Sequence, residues 1–184
     1  MDFSFRYDIW YLSLTASPRD VGFLRGIVIR PDDLGEGGRK ILKKARLTSE
    51  AGLLGDRWAG HEKSLGRDQV SLINVHVLES LAGKDPGNKA RSGDNLQVDL
   101  DLSEANLPPG TRISVGSCVL EVSEQAHTPC LSFHRRFGKS SVRKVLRANK
   151  RGLRGRGVLC MVVQAGEIAL GDEMRVLRDA PADN

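Results

Sequence analysis

The sequence predicts a mainly β, barrel-like domain with a few short helices, and three observations predict it. Short apolar runs recur along the chain, several rich in Val and Ile, and Gly or Pro closes most of them. Only two brief stretches carry a helical period. At 184 residues and 40% hydrophobic, the chain suits one core, since a domain takes about 100–200 residues.

The elements follow in order. Residues 1–21 show no clear periodicity and read as an N-terminal extension. Gly22 to Arg30 (GFLRGIVIR) alternates and becomes β-branched toward its end, a strand that Pro31 stops. Asp32 to Lys40 (DDLGEGGRK) is a flexible turn without the GxxxxGK[ST] spacing of a phosphate loop. Gln69 to Ile73 reads as a buried strand, and Val75 to Leu81 as a short helix ended by Gly83. Pro108-Pro109-Gly110 turns the chain into two strands, Arg112–Val115 and Cys118–Val122, with Gly116-Ser117 as a two-residue hairpin. In Ser140 to Asn149, Val142, Val145 and Leu146 lie opposite Arg143, Lys144, Arg147 and Lys150, an amphipathic helix with a cationic face. Val158–Gln164 and Glu173–Leu177 are the last strands, and residues 178–184 form a tail. No internal repeat is present.

Composition excludes several classes. The opening MDFSFRYDIWYLSL mixes Asp2, Arg6 and Asp8 into its apolar patch, and no run approaches the roughly 18 apolar residues of a membrane span, so a soluble, cytoplasmic protein is expected. Three cysteines without CxxC spacing argue against a secreted disulfide framework. The formal net charge of +5 is unevenly spread: ten of the 28 Lys and Arg fall between Arg135 and Arg156, where no Asp or Glu occurs. The stripe is either a solvated helix face, the usual fate of charge runs, or, since like charges at helical spacing repel, a mark of an anionic partner: phosphate, nucleic acid or an acidic protein.

The stretch His127-Thr128-Pro129-Cys130-Leu131-Ser132-Phe133-His134-Arg135-Arg136 is the centre of interest. Cys130 follows an extended Thr-Pro pair, which would present the thiol where a strand leaves the barrel. Arg135 and Arg136 would favour its thiolate; the plainer reading is a buried, inert thiol. His127, Cys130 and His134 are alternatively three zinc ligands, although no paired CxxC or HxxxH supplies the rest of a structural site. Cys118 and Cys160 sit in apolar strand patterns and are expected to pack inside. Three glycines frame Asp56, Arg57 and His61 in Gly52 to His61, as where backbone approaches a ligand, or as in a plain surface turn anchored by Trp58. Asn95, beside Gly93, can both donate and accept, for a ligand or for its own turn. Arg154 and Arg156, separated by glycine, suit phosphate or RNA.

Taken in order, these pieces resemble the MOSC domain, named for the C-terminal part of molybdenum cofactor sulfurases. The matching elements are Arg30-Pro31, Gly55-Asp56-Arg57 with Gly60-His61, Gln69-Val70-Ser71-Leu72 and Gly93-Asp94-Asn95-Leu96. They continue through Leu107-Pro108-Pro109-Gly110, Ile113-Ser114-Val115-Gly116, Thr128-Pro129-Cys130, Arg136-Phe137-Gly138 and Gly166-x4-Gly171-Asp172, within residues 22–177. The resemblance implies a closed β-barrel like the barrel domain of pyruvate kinase. It implies that Cys130 carries a persulfide or ligates molybdenum, as a sulfur carrier or in an oxidoreductase. It also implies that Asp56, Arg57, His61, Asn95, His127, Arg135, Arg136, Arg154 and Arg156 help to hold the molybdenum cofactor (molybdopterin), bound stably or transiently. A cysteine desulfurase or a molybdoenzyme would be the protein partner. Asp94 stands where the family commonly has Glu, and the chain carries no pyridoxal-phosphate or ferredoxin module, reading as a stand-alone bacterial-type member. Two further classes compete: a basic nucleic-acid-binding module using Arg143, Lys144, Arg147, Lys150 and Arg151, and a zinc-stabilised structural domain.

Overall fold

Period-two alternation of apolar residues needs a second wall to bury against, and here the sheet supplies that wall by closing on itself. The computed structural model describes residues 5–35, 37–58, 61 and 66–178. The first four residues of the extension, Gly60 of the Gly60-His61 pair and residues 179–184 of the tail lie outside the described residues.

The strands are β1 (Val21–Ile29), β2 (Lys40–Leu42), β3 (Lys44–Thr48), β4 (Gly52–Leu53), β5 (Val70–Asn74), β6 (Leu96–Asp99), β7 (Arg112–Val115), β8 (Cys118–Val122), β9 (Val158–Gln164), β10 (Gly166–Ala169) and β11 (Glu173–Leu177). Seven of them close a barrel in the order β1-β6-β5-β9-β8-β7-β11 and back to β1. All pairings in the ring are antiparallel except β5 with β6. β1 makes closure possible by changing partner along one edge: Val21 to Phe23 pair with β11, whereas Ile27 to Ile29 pair with β2. Its pairing with β6 shifts register between Leu24 and Gly26, a bulge that bends the strand between those two jobs. β3, β4 and β10 form a separate three-stranded sheet.

Inside the barrel, Leu24, Ile27, Leu72, Leu96, Ile113 and Leu120 are fully buried, beside the thiols of Cys118 and Cys160. Burial pushes those thiols up, to about 11 for Cys118 and about 12 for Cys160, so both stay neutral in the core, as their apolar strand patterns predict.

The described residues also form four α-helices: α1 (Phe5–Leu12), α2 (Val75–Ala82), α3 (Pro86–Ala90) and α4 (Leu131–Lys150). Asn74 caps α2 by accepting from the His76 and Val77 amides, and Gly83 ends it at φ 77°. α4 is two helical segments that meet at a kink, where Gly138 has the non-helical φ 76° and ψ 170°, and the amphipathic period marks only the second of them. Its second half keeps the expected period, while the first half offers little beyond Phe133 and Phe137 to reveal it. α1 forms where the sequence shows no periodicity. It rests on α4: Trp10, Tyr11 and Leu14 pack against the cluster of Val77, Phe133 and Val145, and the Tyr11 hydroxyl donates to the Leu153 carbonyl at 3.1 Å. Among the described residues no helix is long and apolar enough to cross a membrane.

Candidate functional site

A cavity of about 420 Å³ opens at one end of the barrel, where six segments converge. Arg30 enters just after β1, Ser71 from β5, and Gly93, Asp94 and Asn95 from the turn before β6. His127 and Cys130 come from the link between β8 and α4, Arg136 from the first half of α4, and Arg156 from just before β9.

Two buried ion pairs build its frame. Arg30 meets Asp56 in a fork, Nε to Oδ2 at 2.9 Å and Nη2 to Oδ1 at 2.6 Å, and the Arg30 amide adds a bond of 2.8 Å. Asp56 also accepts from the Trp58 amide, so its oxygens are spent on holding the Gly55-Asp56-Arg57 loop. On the far side Asp94, with no exposed surface, takes Arg156 Nη1 at 2.6 and 2.7 Å. The Arg156 guanidinium lies over the Phe133 ring at 4.6 Å, and its buried Nε has no hydrogen-bond partner among the described residues. Next to Asp94, Asn95 Oδ1 accepts from the Ser71 amide and hydroxyl, and its Nδ2 donates to the Val28 carbonyl. Asn95 lines the cavity while tying β5 to the end of β1.

Beyond these pairs the cavity lining holds Arg39, Arg57 and Arg136 against one carboxylate, Asp68. Burial, then the neighbouring Arg136, Arg30 and Arg57, lowers the Arg39 guanidinium from 12.5 to about 10. Burial likewise lowers Arg136, with the Cys130 sulfur acting in the opposite direction and Arg57, Arg30 and Arg91 in the same one. Several guanidinium groups therefore share one neighbourhood, an arrangement that an anion relieves. Gly93 leaves the space between them open. It adopts φ 79°, and a Cβ there would stand 3.2 Å from Arg39 Nη2 and 3.6 Å from Arg136 Nη1.

Cys130 is exposed at the rim of this cavity. It is the N-cap of α4, with φ −85° and ψ 172°, instead of the end of a strand. The extended approach through Thr128-Pro129 leads into a helix start, and Cys130 lines the cationic cavity from there without capping the helix through its side chain.

His127 forms the wall. Its Nε2 lies 3.9 Å from Asp94 Oδ1, and its Nδ1 is buried without a hydrogen-bond partner among the described residues. Burial, then the Arg156 charge, lowers its pKa from 6.5 to about 3, outweighing the pull of Asp94. The imidazole is therefore neutral near pH 7. Between about pH 6.5 and 3 the unfolded chain binds a proton that the folded chain refuses, so stability is present above this window and is lost as pH falls through it. Urea unfolding should show a loss of up to about 1.4 kcal/mol per pH unit below 6.5, and His127→Asn should flatten that slope. An equal slope in the variant would remove His127 as its source.

Of the residues singled out from the sequence, Cys130, Arg57, Asn95, His127, Arg136 and Arg156 meet at this cavity. Asp56 stands one layer behind, and the His61 ring stacks on Trp58 at 4.8 Å. Arg135 and His134 are exposed and do not line the cavity. Arg154 lines a second cavity of about 550 Å³ behind the His127 wall, where its Nη1 donates to the Leu107 carbonyl. His127, Cys130 and His134 do not assemble: among the described residues no group of three or more His, Cys, Asp or Glu could hold a metal ion. Within the α4 stripe the Lys144 ammonium lies over the Trp10 ring at 5.3 Å. Sequence reasoning did not name Arg39, which it left inside a flexible turn, nor give Asp94 and Arg30 their roles as pair members. No local pattern announces a pair whose partners stand 62 residues apart.

Residues 50–175 match the MOSC domain family. A search of curated proteins finds no significant match. Among solved structures the chain is similar to the YUAD protein from Bacillus subtilis, at TM-score 0.61 and 21% identity over 85% of this chain and 95% of that one. It is similar to YiiM from Escherichia coli at TM-score 0.53 and 21% identity, over 85% of this chain and 71% of that one. YiiM from Geobacillus stearothermophilus follows at TM-score 0.51 and 13% identity, over 90% of this chain and 77% of that one. Likenesses at such identities establish the barrel fold.

Proposed function

The chain belongs to the MOSC domain family, and on that premise we propose that it binds molybdenum cofactor in the cavity at the barrel end. Arg39, Arg57 and Arg136 hold the phosphate of the pterin, and Cys130 presents its sulfur to molybdenum, as a ligand or as a carrier of sulfur. The observation that carries this reading is the convergence of guanidinium groups on the open space beside Gly93, with an exposed cysteine at its rim. The residues present fit the group: guanidinium is suited to phosphate, thiolate to a soft metal, and the unpartnered Arg156 Nε offers a further donor.

When bound, the cofactor supplies redox or sulfur-accepting chemistry at molybdenum. The protein's own residues do the rest. Asp94 keeps Arg156 in place, Asp56 keeps Arg30 and the Trp58 loop in place, and neutral His127 offers the bound group a hydrogen-bonding edge without adding a charge. In the carrier role the Cys130 thiolate attacks the outer sulfur of a donor persulfide. The donor's S–S bond breaks, the donor departs as a thiolate, and Cys130 keeps the new S–S bond. A cysteine desulfurase is the class of protein that supplies such a persulfide, and a molybdoenzyme is the class that would receive the product.

Elemental analysis and the fluorescence of oxidised pterin test the proposal on protein made in a cofactor-producing host. Wild type should retain both molybdenum and pterin. Cys130→Ser should lose at least about tenfold of its molybdenum, with stability unchanged to within about 0.5 kcal/mol because the side chain is exposed. Molybdenum and pterin both retained by the variant, together with a labelled persulfide on wild-type Cys130, would assign the carrier role. A wild type with neither molybdenum nor pterin would sink the reading.

A further inference from the structure

We propose that Asn149, near the C-terminal end of α4, is a positioning residue of this site: its side-chain amide clamps the His127 wall to the Arg156 segment and so aims the imidazole. The inference rests on the cofactor-binding reading above for its consequence, and on geometry alone for its cause.

Asn149 reaches in two directions. Its Nδ2 donates to the His127 carbonyl at 2.9 Å, 22 residues upstream, and its Oδ1 accepts from the Arg156 amide at 3.1 Å, seven residues downstream. An amide offers both a donor and an acceptor, and here each is used on a different segment. From Arg156 the path continues through Nη1 to Asp94 at 2.6 Å, and from Asp94 Oδ1 to His127 Nε2 at 3.9 Å. The four residues thus make a closed ring of polar contacts, with Asn149 touching only backbone. Residues 126–129 enter no helix or strand ladder, so the bond from Asn149 replaces the tie that a sheet would give. Within this ring the His127 side most distant from Asp94 is Nδ1, which is buried and unpartnered. The Asp94 carboxylate stands 3.9 Å from Nε2, beyond hydrogen-bond reach, and its negative charge favours the tautomer protonated there. Asn149 thereby sets where the imidazole stands in the cavity wall, without meeting the ligand itself.

The test combines nitrogen NMR of the histidine rings in the full chain, assigned with His127→Gln, with pterin retention from a cofactor-producing host. Wild type should show His127 as one neutral tautomer with the proton on Nε2. Asn149→Asp keeps an acceptor for the Arg156 amide but cannot donate to the His127 carbonyl. It should shift His127 to averaged neutral tautomers and reduce retained pterin by about tenfold or more. Asn149→Ala, which removes both bonds and adds no charge, serves as the second variant with the same expectation. Val145→Ala, on the same helix, removes buried packing and leaves the clamp; it should lower Tm and leave the tautomer and the pterin content alone. A His127 spectrum unchanged in folded Asn149 variants, or one altered as much by Val145→Ala, would overturn the proposal. A wild type without pterin would instead sink the cofactor reading, and the tautomer comparison would still decide the role of Asn149.

Discussion

Asp94→Ala should destabilise the fold by about 3–5 kcal/mol, the cost of leaving a buried charge without its partner. Asp94 has no exposed surface, Arg156 is 4% exposed, and the guanidinium is bound through one nitrogen to both carboxylate oxygens. Removing the carboxylate leaves the 4% exposed Arg156 over the Phe133 ring without its counter-charge. The pair itself need not add much net stability, because withdrawing two charges from water offsets most of their attraction. Asp94→Leu combined with Arg156→Met should therefore recover a large part of the loss while abolishing cofactor retention. Urea unfolding of the two single variants and the double variant forms the cycle that measures this. A single variant that unfolds with the wild-type midpoint would show that water reaches Arg156 and that the wall is not as closed as its burial implies.

Arg136→Ala should reduce cofactor retention roughly tenfold to a hundredfold, the worth of one charge-assisted hydrogen bond of about 1.5–3 kcal/mol. Arg135→Ala should change it little. Adjacent in sequence, these two arginines are indistinguishable there as anion contacts. On the helix they separate: Arg136 lines the cavity beside Gly93, and its Nη1 bonds the Arg91 carbonyl at 3.2 Å, whereas Arg135 is exposed and lines no part of the cavity. The same comparison in a thermal melt should show only a small shift for either variant, since neither side chain is buried in the apolar core. Equal retention by wild type and Arg136→Ala would take Arg136 out of the anion site and leave Arg39 and Arg57 to hold it. An equal loss in both variants would mean that the α4 stripe acts as a diffuse field, which added salt would screen away.

Strands with strong alternation are legible in the sequence itself: β7, β8, β9 and β11 fall where the apolar pattern and the Gly116-Ser117 hairpin put them. The strands that the pattern does not reveal are short or mixed in character. β2 and β4 have three and two residues, and β3 alternates charged with small side chains. Strands of that kind are held by partners instead of by propensity. Helix α1 owes its place to the apolar cluster on α4, a surface that a reading of residues 1–21 alone does not contain.

By itself the sequence determined the class of the fold, the inert thiols of the core and the identity of the reactive candidate, because apolar period, turn chemistry and the ordered set of motifs are local properties of the chain. Tertiary structure alone decided the membership of the site. Closing the barrel brought Arg30, Arg39 and Arg57 beside Arg136, turned Arg135 and His134 away, and put Arg154 behind the His127 wall. The physical reason is that charge, burial and hydrogen-bond reach act through space. Asp94 and Arg156, or Asn149 and His127, acquire their roles only when the fold has brought distant segments within 3 Å of one another.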